Sequence, residues 1–144
     1  MHATSEVRMI KDRPLSIAIA LVVLYVGAGG LAKLAGVPYV HSSFPKLGLP
    51  GWFGYFIGVC EVLGPIGLLF RPLRALAALG IAIIMAGATY YHAAHTPVIQ
   101  AVPAFVLTIL CVYIFLKARM HMLQFSADRQ GAEVDGSTSS DRPD

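Results

Sequence analysis

Four apolar stretches, each about as long as a helix that crosses a bilayer, make up most of this sequence of 144 residues. A helix needs about 20 apolar residues to cross ~30 Å of hydrocarbon. The strict alternation of apolar and polar residues that a membrane β-barrel requires is absent. The sequence therefore predicts an all-α integral membrane protein, a bundle of four transmembrane helices. The predicted spans are 15–36, 52–70, 73–92 and 97–116.

The overall composition excludes an ordinary soluble domain. Hydrophobic residues make up 56% of the chain and charged residues only 13%, whereas a soluble domain carries roughly a quarter charged residues. Most of the acidic residues lie in the segment 126–144, "SADRQGAEVDGSTSSDRPD". This polar segment has no apolar periodicity, so we expect the tail to be disordered from about residue 126.

The distribution of lysine and arginine predicts the orientation of the bundle. One side holds Arg8, Lys11 and Arg13, then Arg71 and Arg74, then Lys117 and Arg119. The other side holds Lys46 and, near a helix end, Lys33. Cytoplasmic loops carry the excess of basic residues, so both termini, segments 1–14 and 118–144, are predicted to be cytoplasmic. Anionic lipid headgroups account for these basic residues, and nucleic acid is not an expected partner.

The first span has an alternative interpretation as a cleavable signal peptide, because basic residues precede it. The apolar stretch continues through Lys33 without a small-residue cleavage site leading to a soluble domain. We therefore interpret it as a retained helix.

One acidic residue interrupts the apolar second span. Glu61 is the only Asp or Glu between Asp12 and Asp128. It shares a helix face with Gly54 and Gly58, so it is predicted to point into the bundle. A charge near the bilayer centre costs about 2.5–3.5 kcal/mol on insertion scales. A hydrogen-bond donor is therefore expected beside it.

The candidate donors are Lys33, at the end of the first span, and His92, at the end of the third. Helical side chains lean toward the N-terminus of their own helix. The first and third helices run outward and the second runs inward, so these side chains converge in the outer half of the bundle. The predicted ligand-binding residues are Lys33, Glu61, Tyr91, His92 and Gln100.

Three kinds of role for Glu61 are compatible with the sequence. Paired with Lys33 it would be ionised, and opposite His92 or a ligand carbonyl it would be able to hold a proton. Either state suits binding of a lipophile with one polar head, such as a quinone, and the second suits acid–base catalysis by Glu61 and His92. A purely structural role, with Glu61 and Lys33 joining the first two helices, remains equally open.

Metal and built-in cofactor sites are not predicted. His92 and His95 lie three residues apart, but a third ligand is missing. The two cysteines, Cys60 and Cys111, form no CxxC motif. We interpret both as small packing residues.

Three segments together resemble the DoxX-like family of membrane proteins. They are "GAGGLAKLAG" at the end of the first span, "FPKLGLPGWFGYFIGVCEVLGPIGLLF" through the second and "AGATYYHAAH" at the end of the third. The resemblance covers roughly residues 15–117. It implies a four-helix bundle in the bacterial inner membrane, with Lys33, Glu61 and His92 at the family's recurrent polar positions.

The functional implication of the resemblance is a link to redox chemistry. The family is named after the membrane subunit of a quinone-reducing oxidoreductase, and relatives resemble membrane partners of redox enzymes. We therefore expect a quinone-binding membrane component with a redox-enzyme partner protein and contact with membrane lipid. A scaffold or assembly protein and a stand-alone membrane enzyme are the alternatives, and a homo-oligomer is compatible with all three.

Overall fold

All regular elements in the described part of the chain are helical. A computed structural model describes the backbone of residues 2–140 and the side chains of residues 13–120. The all-α prediction is confirmed for these residues. In chain order the elements are α1 (His2–Leu34), α2 (Pro38–His41), α3 (Ser43–Lys46), α4 (Phe53–Leu69), α5 (Arg74–His95), a 3-10 turn (Val98–Gln100) and α6 (Ala101–Ser140).

The long helices have the composition of a membrane protein. Among the described residues, three segments are long and apolar enough to cross a bilayer: Arg13–Leu34, Arg74–His95 and Val98–Met120. The fourth apolar helix, α4, has 17 residues, which span roughly 25 Å at about 1.5 Å per residue. Three of the four predicted spans thus reach the expected length, and α4 is shorter.

The four long helices pack in a ring. α1 packs against α4, α4 against α5, α5 against α6, and α6 returns to α1. The pairs α1–α4 and α5–α6 share the largest contacts, and α1–α6 shares the smallest of the four. The apolar core lies inside this ring. Its largest fully buried side chains are Val22, Val26, Leu68, Ile81, Cys111 and Ile114.

The ends of α1 differ from the predicted span 15–36. The helix begins at His2 and includes Pro14. The helix continues through this proline, since its missing N–H removes a single hydrogen bond from an otherwise regular helix. It ends at Leu34, where Gly36 takes a left-handed conformation with φ 71°. The Gly36 and Val37 amides donate to the Lys33 and Ala32 carbonyls. This pattern is a Schellman cap, which glycine adopts without a Cβ penalty.

The boundaries of the last two spans also differ from the predictions 73–92 and 97–116. Helix α5 continues to His95 and ends at Thr96, which precedes Pro97. A residue before proline is disfavoured in the helical conformation. A 3-10 turn then leads into α6 at Ala101.

The predicted disorder from about residue 126 stays a prediction, and the backbone helix continues past the predicted end of the fourth span at residue 116. The backbone of α6 is helical to Ser140, and residues 141–144 lie outside the described residues. No proline lies between Pro103 and Pro143, so nothing removes a helical hydrogen bond along this segment. The intrinsic propensity of the Ala, Leu, Met, Gln and Arg residues in this segment also favours continuation of the helix.

The connection between α1 and α4 folds against the ends of both helices. Phe44 of α3 is buried, and the imidazole of His41 lies 4.6 Å from the Tyr55 ring, between centroids. His41 Nε2 donates to the Lys33 carbonyl at 2.8 Å. His41 therefore joins the connection to the C-terminal turn of α1, the turn that carries Lys33.

We expect His41→Ala to lower the free energy of unfolding by about 1–3 kcal/mol, because it removes a hydrogen bond and the packing against Tyr55. Unfolding of the purified protein in mixed micelles of increasing SDS content would measure this loss. Ser42→Ala is the matched control, since Ser42 makes only an exposed hydrogen bond to the Tyr39 carbonyl. Equal stability of the two variants would contradict the assigned role of His41.

Candidate functional site

Lys33 and Glu61 form an ion pair inside the helix ring. Lys33 Nζ lies 2.6 Å from Glu61 Oε2. Glu61 is 3% exposed, and the Lys33 side chain is 16% exposed. A buried carboxylate without a partner would be very costly in this environment, and the ammonium offsets that cost. Of the two predicted hydrogen-bond donors for Glu61, Lys33 is the one that contacts it in this structure.

Two glycines allow the helices that carry this pair to approach closely. A Cβ atom at Gly30 of α1 would lie 2.9 Å from Glu61 Cβ and 3.0 Å from the Gly58 carbonyl oxygen. A Cβ atom at Gly58 of α4 would lie 2.9 Å from Lys33 Cβ. Real Cβ atoms do not approach other atoms this closely, so glycine is required on both helices. Small residues at a membrane helix crossing permit this close contact between backbones.

A cavity of about 640 Å³ lies next to the ion pair. Residues of α1, α5 and α6 form most of its wall, and Val40 of α2, Glu61 of α4 and Gln100 of the 3-10 turn complete it. Its polar lining residues are Lys33, Glu61, His92 and Gln100. A cavity of this size falls within the range of small-molecule and cofactor sites.

The cavity has a polar end and an apolar end. Along α1 its wall runs from Leu21 to Lys33, a distance of roughly 18 Å at about 1.5 Å per residue. Along α5 the wall runs from Met85 to His92. The polar residues therefore lie near the C-terminal ends of α1 and α5, and the apolar residues lie toward the middle of these helices. This arrangement matches a molecule with a polar head and an apolar tail.

The apolar part of the cavity reaches the outer surface of the helix ring. Leu21, Leu24 and Tyr25 line it, and these residues are 51%, 71% and 58% exposed. They lie on α1, whose contact with α6 is the smallest between neighbouring long helices of the ring. The cavity is thus open at the outer surface of α1.

Thr96 holds the imidazole of His92 at the polar end. Thr96 Oγ1 lies 3.1 Å from His92 Nδ1, and the same hydroxyl donates to the His92 carbonyl at 2.9 Å. Thr96 is the residue that ends α5. The residue at which α5 ends before Pro97 is therefore also the residue that contacts the His92 ring.

Comparison with known proteins identifies the family. The model of the DoxX-like family matches residues 17–114. The chain belongs to the DoxX-like family. The matched segment contains the Lys33–Glu61 pair together with His92 and Gln100. No curated protein and no solved structure matches the chain.

The structure brings together four of the five predicted ligand-binding residues of this DoxX-like protein. Lys33, Glu61, His92 and Gln100 all line the cavity. Tyr91 does not line it. The Tyr91 side chain is buried, and its ring packs 5.3 Å, between centroids, from the rings of both His92 and His95. The catalytic role predicted for Glu61 and His92, and ligand binding by all five residues, stay predictions.

Thr96 was not predicted as a site residue, and Gly30 was not singled out from its glycine cluster. Thr96 lies four residues after His92, a spacing at which a side chain reaches the preceding helical turn, and this spacing was the available signal. Gly30 belongs to a glycine cluster with Gly27 and Gly29. Only Gly30 lies at the closest approach of α1 and α4, and a cluster in the sequence does not indicate which of its members does so.

The polar side chains around the cavity can form hydrogen bonds with a ligand. Within the described part of the chain, no group of three or more His, Cys, Asp or Glu residues could hold a metal ion. Both cysteines are free thiols. Lys33 bonds one Glu61 oxygen and, with three N–H donors on its ammonium, can also donate to a ligand.

Proposed function

We propose that this DoxX-like protein binds a quinone or a related lipophile in the cavity and acts as the membrane component of an oxidoreductase system. The headgroup lies at the polar end, near Lys33, His92 and Gln100, and the tail extends between α1 and α6. The observation that carries this proposal is the polar-to-apolar cavity beside a buried ion pair. The ion pair keeps the Lys33 ammonium inside the membrane domain as a hydrogen-bond donor, and the Glu61 carboxylate balances its charge.

The proposal includes a four-span topology in the inner membrane with both termini in the cytoplasm. The basic residues Arg71 and Arg74 lie at the turn between α4 and α5, and Lys117 lies near the end of the last apolar segment. The positive-inside rule supports a cytoplasmic position for both regions. Trp52, at the other end of α4, is 63% exposed, which is typical of an interfacial aromatic residue.

The shorter helix α4 can also cross within this topology. Arg74 Nε donates to the Leu68 carbonyl at 2.8 Å, so a side chain occupies one of the carbonyls that the C-terminus of α4 leaves free. A span shorter than the hydrocarbon core is accommodated by local thinning of the bilayer and by snorkelling of flanking residues.

The proposed redox role requires a partner protein. The sequence carries no cofactor-binding motif, so the electron-transfer cofactor would belong to the partner. The DoxX-like chain would supply the place where the lipophile is held and oriented. The outward-facing connection around His41 or the cytoplasmic end of α6 would be available for contact with such a partner.

Native mass spectrometry of gently extracted protein tests the proposal. We expect a lipophilic small molecule to copurify with the wild type and to be lost in Ala88→Leu, because Ala88 lines the cavity and leucine would fill it. Ala86→Leu is the matched control, since Ala86 is an exposed residue of the same helix and does not line the cavity. Retention of the molecule by Ala88→Leu, or its loss from both variants, would overturn the assigned location.

A scaffold function is the second candidate, and the close packing around the ion pair favours it. The Lys33–Glu61 pair at the Gly30–Gly58 crossing is sufficient to join α1 to α4 without any ligand. Glu61→Gln separates the two functions when it is compared with a wild type of equal yield. If Glu61→Gln loses a lipophile that the wild type binds but keeps its partner proteins, the binding function is supported. If neither the variant nor the wild type holds a lipophile, the scaffold function is supported.

A stand-alone enzyme with Glu61 as general acid has less support. Glu61 is bonded to the Lys33 ammonium, and a carboxylate in an ion pair is not positioned to give up a proton. His92, the other residue of this predicted pair, lines the cavity and forms no ion pair with any of the described residues.

A further inference from the structure

The contacts of His92 with Thr96 influence which kind of ligand headgroup the cavity can bind. The inference rests on the proposed function, since it concerns the same cavity. Lys33 only donates hydrogen bonds, and the Gln100 amide both donates and accepts. A neutral imidazole donates from one nitrogen and accepts at the other. His92 is therefore the lining residue whose hydrogen-bonding direction depends on its tautomer.

The Thr96 hydroxyl has a single proton and two nearby acceptors. When Oγ1 donates to the His92 carbonyl at 2.9 Å, its contact with Nδ1 at 3.1 Å is satisfied only if Nδ1 carries a proton and donates. If the hydroxyl instead donated to Nδ1, its bond to the carbonyl would be lost. The first arrangement makes two hydrogen bonds and the second makes one, so the Nδ1–H tautomer is favoured.

This tautomer determines what the cavity offers a ligand. With the proton on Nδ1, the other ring nitrogen, Nε2, carries a lone pair and can accept a hydrogen bond from a ligand. A headgroup that carries a hydroxyl can donate to Nε2, and its oxygen can accept from Lys33. A headgroup that has only carbonyl or ether oxygens can bond Lys33 and would place a lone pair against the lone pair of Nε2.

We propose that the cavity selects lipophiles with a hydroxyl headgroup, such as an alkylated hydroquinone or phenol, over the matching quinone or ether. Thr96 is the positioning residue for this selectivity, because it keeps the proton on Nδ1. His92 Nε2 is the group that distinguishes the two classes. In the proposed redox setting, the protein would hold the reduced form of the carrier.

Binding to three matched probes tests this proposal. The probes are 2-decylhydroquinone, 2-decyl-1,4-benzoquinone and the dimethyl ether of the hydroquinone, titrated anaerobically into the protein in lipid nanodiscs. We expect the hydroquinone to bind about tenfold more tightly than the quinone or the ether, the effect of roughly one hydrogen bond. Thr96→Val should abolish this preference, and Thr96→Ser, which keeps the hydroxyl, should retain it.

Nitrogen-15 NMR of histidine-labelled protein provides a readout that does not depend on binding. At about pH 8 an ordinary imidazole is neutral, and its protonated and unprotonated nitrogens have well-separated resonances. We expect the His92 ring, assigned by its absence from His92→Gln, to be protonated at Nδ1 in the wild type. A proton on Nε2 would overturn the proposal even if a variant failed to fold.

The outcomes separate this inference from the proposed function. If none of the three probes binds, the lipophile site itself is wrong and both proposals fail. If the three probes bind equally, or the quinone binds more tightly than the hydroquinone, the cavity is a lipophile site and only the hydroxyl selectivity is wrong.

Discussion

Lys33→Met is expected to lower the free energy of unfolding by about 3–5 kcal/mol, because it breaks a buried ion pair. The substitution leaves Glu61, which is 3% exposed, as an uncompensated buried carboxylate. Methionine keeps much of the length and apolar character of the lysine stem, so the loss reports on charge rather than on packing. SDS-induced unfolding in mixed micelles, followed by circular dichroism, would measure it.

The double variant Lys33→Met/Glu61→Gln separates the ion pair from other effects of the two substitutions. Because it removes both charges together, we expect it to be more stable than the sum of the single variants predicts, by about 0.5–3 kcal/mol. Lys46→Met is the control for loss of a lysine, since Lys46 is exposed and should change stability by less than about 0.5 kcal/mol. Equal losses for Lys33→Met and Lys46→Met would contradict a structural contribution from the pair.

The second large effect is expected at the glycine crossing. Gly30→Ala places a methyl group 3.0 Å from the Glu61 carbonyl carbon and 3.0 Å from the Gly58 carbonyl oxygen. Both obstacles belong to the backbone of α4, so they cannot move away as a flexible side chain could. We expect the helices to be forced apart and the free energy of unfolding to fall by about 1–3 kcal/mol, with a corresponding loss of the lipophile.

Gly27→Ala is the matched control for this substitution on the same helix. A Cβ atom at Gly27 meets nothing within 4 Å, and alanine favours helix over glycine by about 1 kcal/mol. We therefore expect Gly27→Ala to be neutral or stabilising. If Gly30→Ala proved as stable as Gly27→Ala in the SDS titration, α1 and α4 would not cross as closely as the structure indicates.

The helical architecture could be predicted from the sequence because each membrane helix is specified locally. A run of apolar residues of sufficient length identifies a helix whatever it later packs against, since the backbone must satisfy its own hydrogen bonds in hydrocarbon. The same reasoning identified Glu61 as the acid that needs a donor, and the opposite directions of successive helices brought Lys33 and His92 to its level. These predictions depend on the spacing of residues along each helix and on the alternating direction of successive helices, and both can be read from the sequence.

The lining of the cavity depended on rotation about each helix axis, which the sequence does not specify. Tyr91 and His92 are adjacent in the sequence, and both were predicted to bind the ligand. Neighbours in a helix point about 100° apart, so only one of them lines the cavity and the other is buried against imidazole rings. Which of the two does so follows from how α5 packs against α6.

By itself the sequence determined the number of apolar helices, their approximate bounds and the presence of one acid that needs a partner. Only the tertiary structure decided that Lys33 is that partner, that Gly30 and Gly58 form the crossing, and that Thr96 holds His92. The reason is physical: hydrophobicity acts on each segment separately, whereas close packing and hydrogen bonding are decided between segments far apart in the chain.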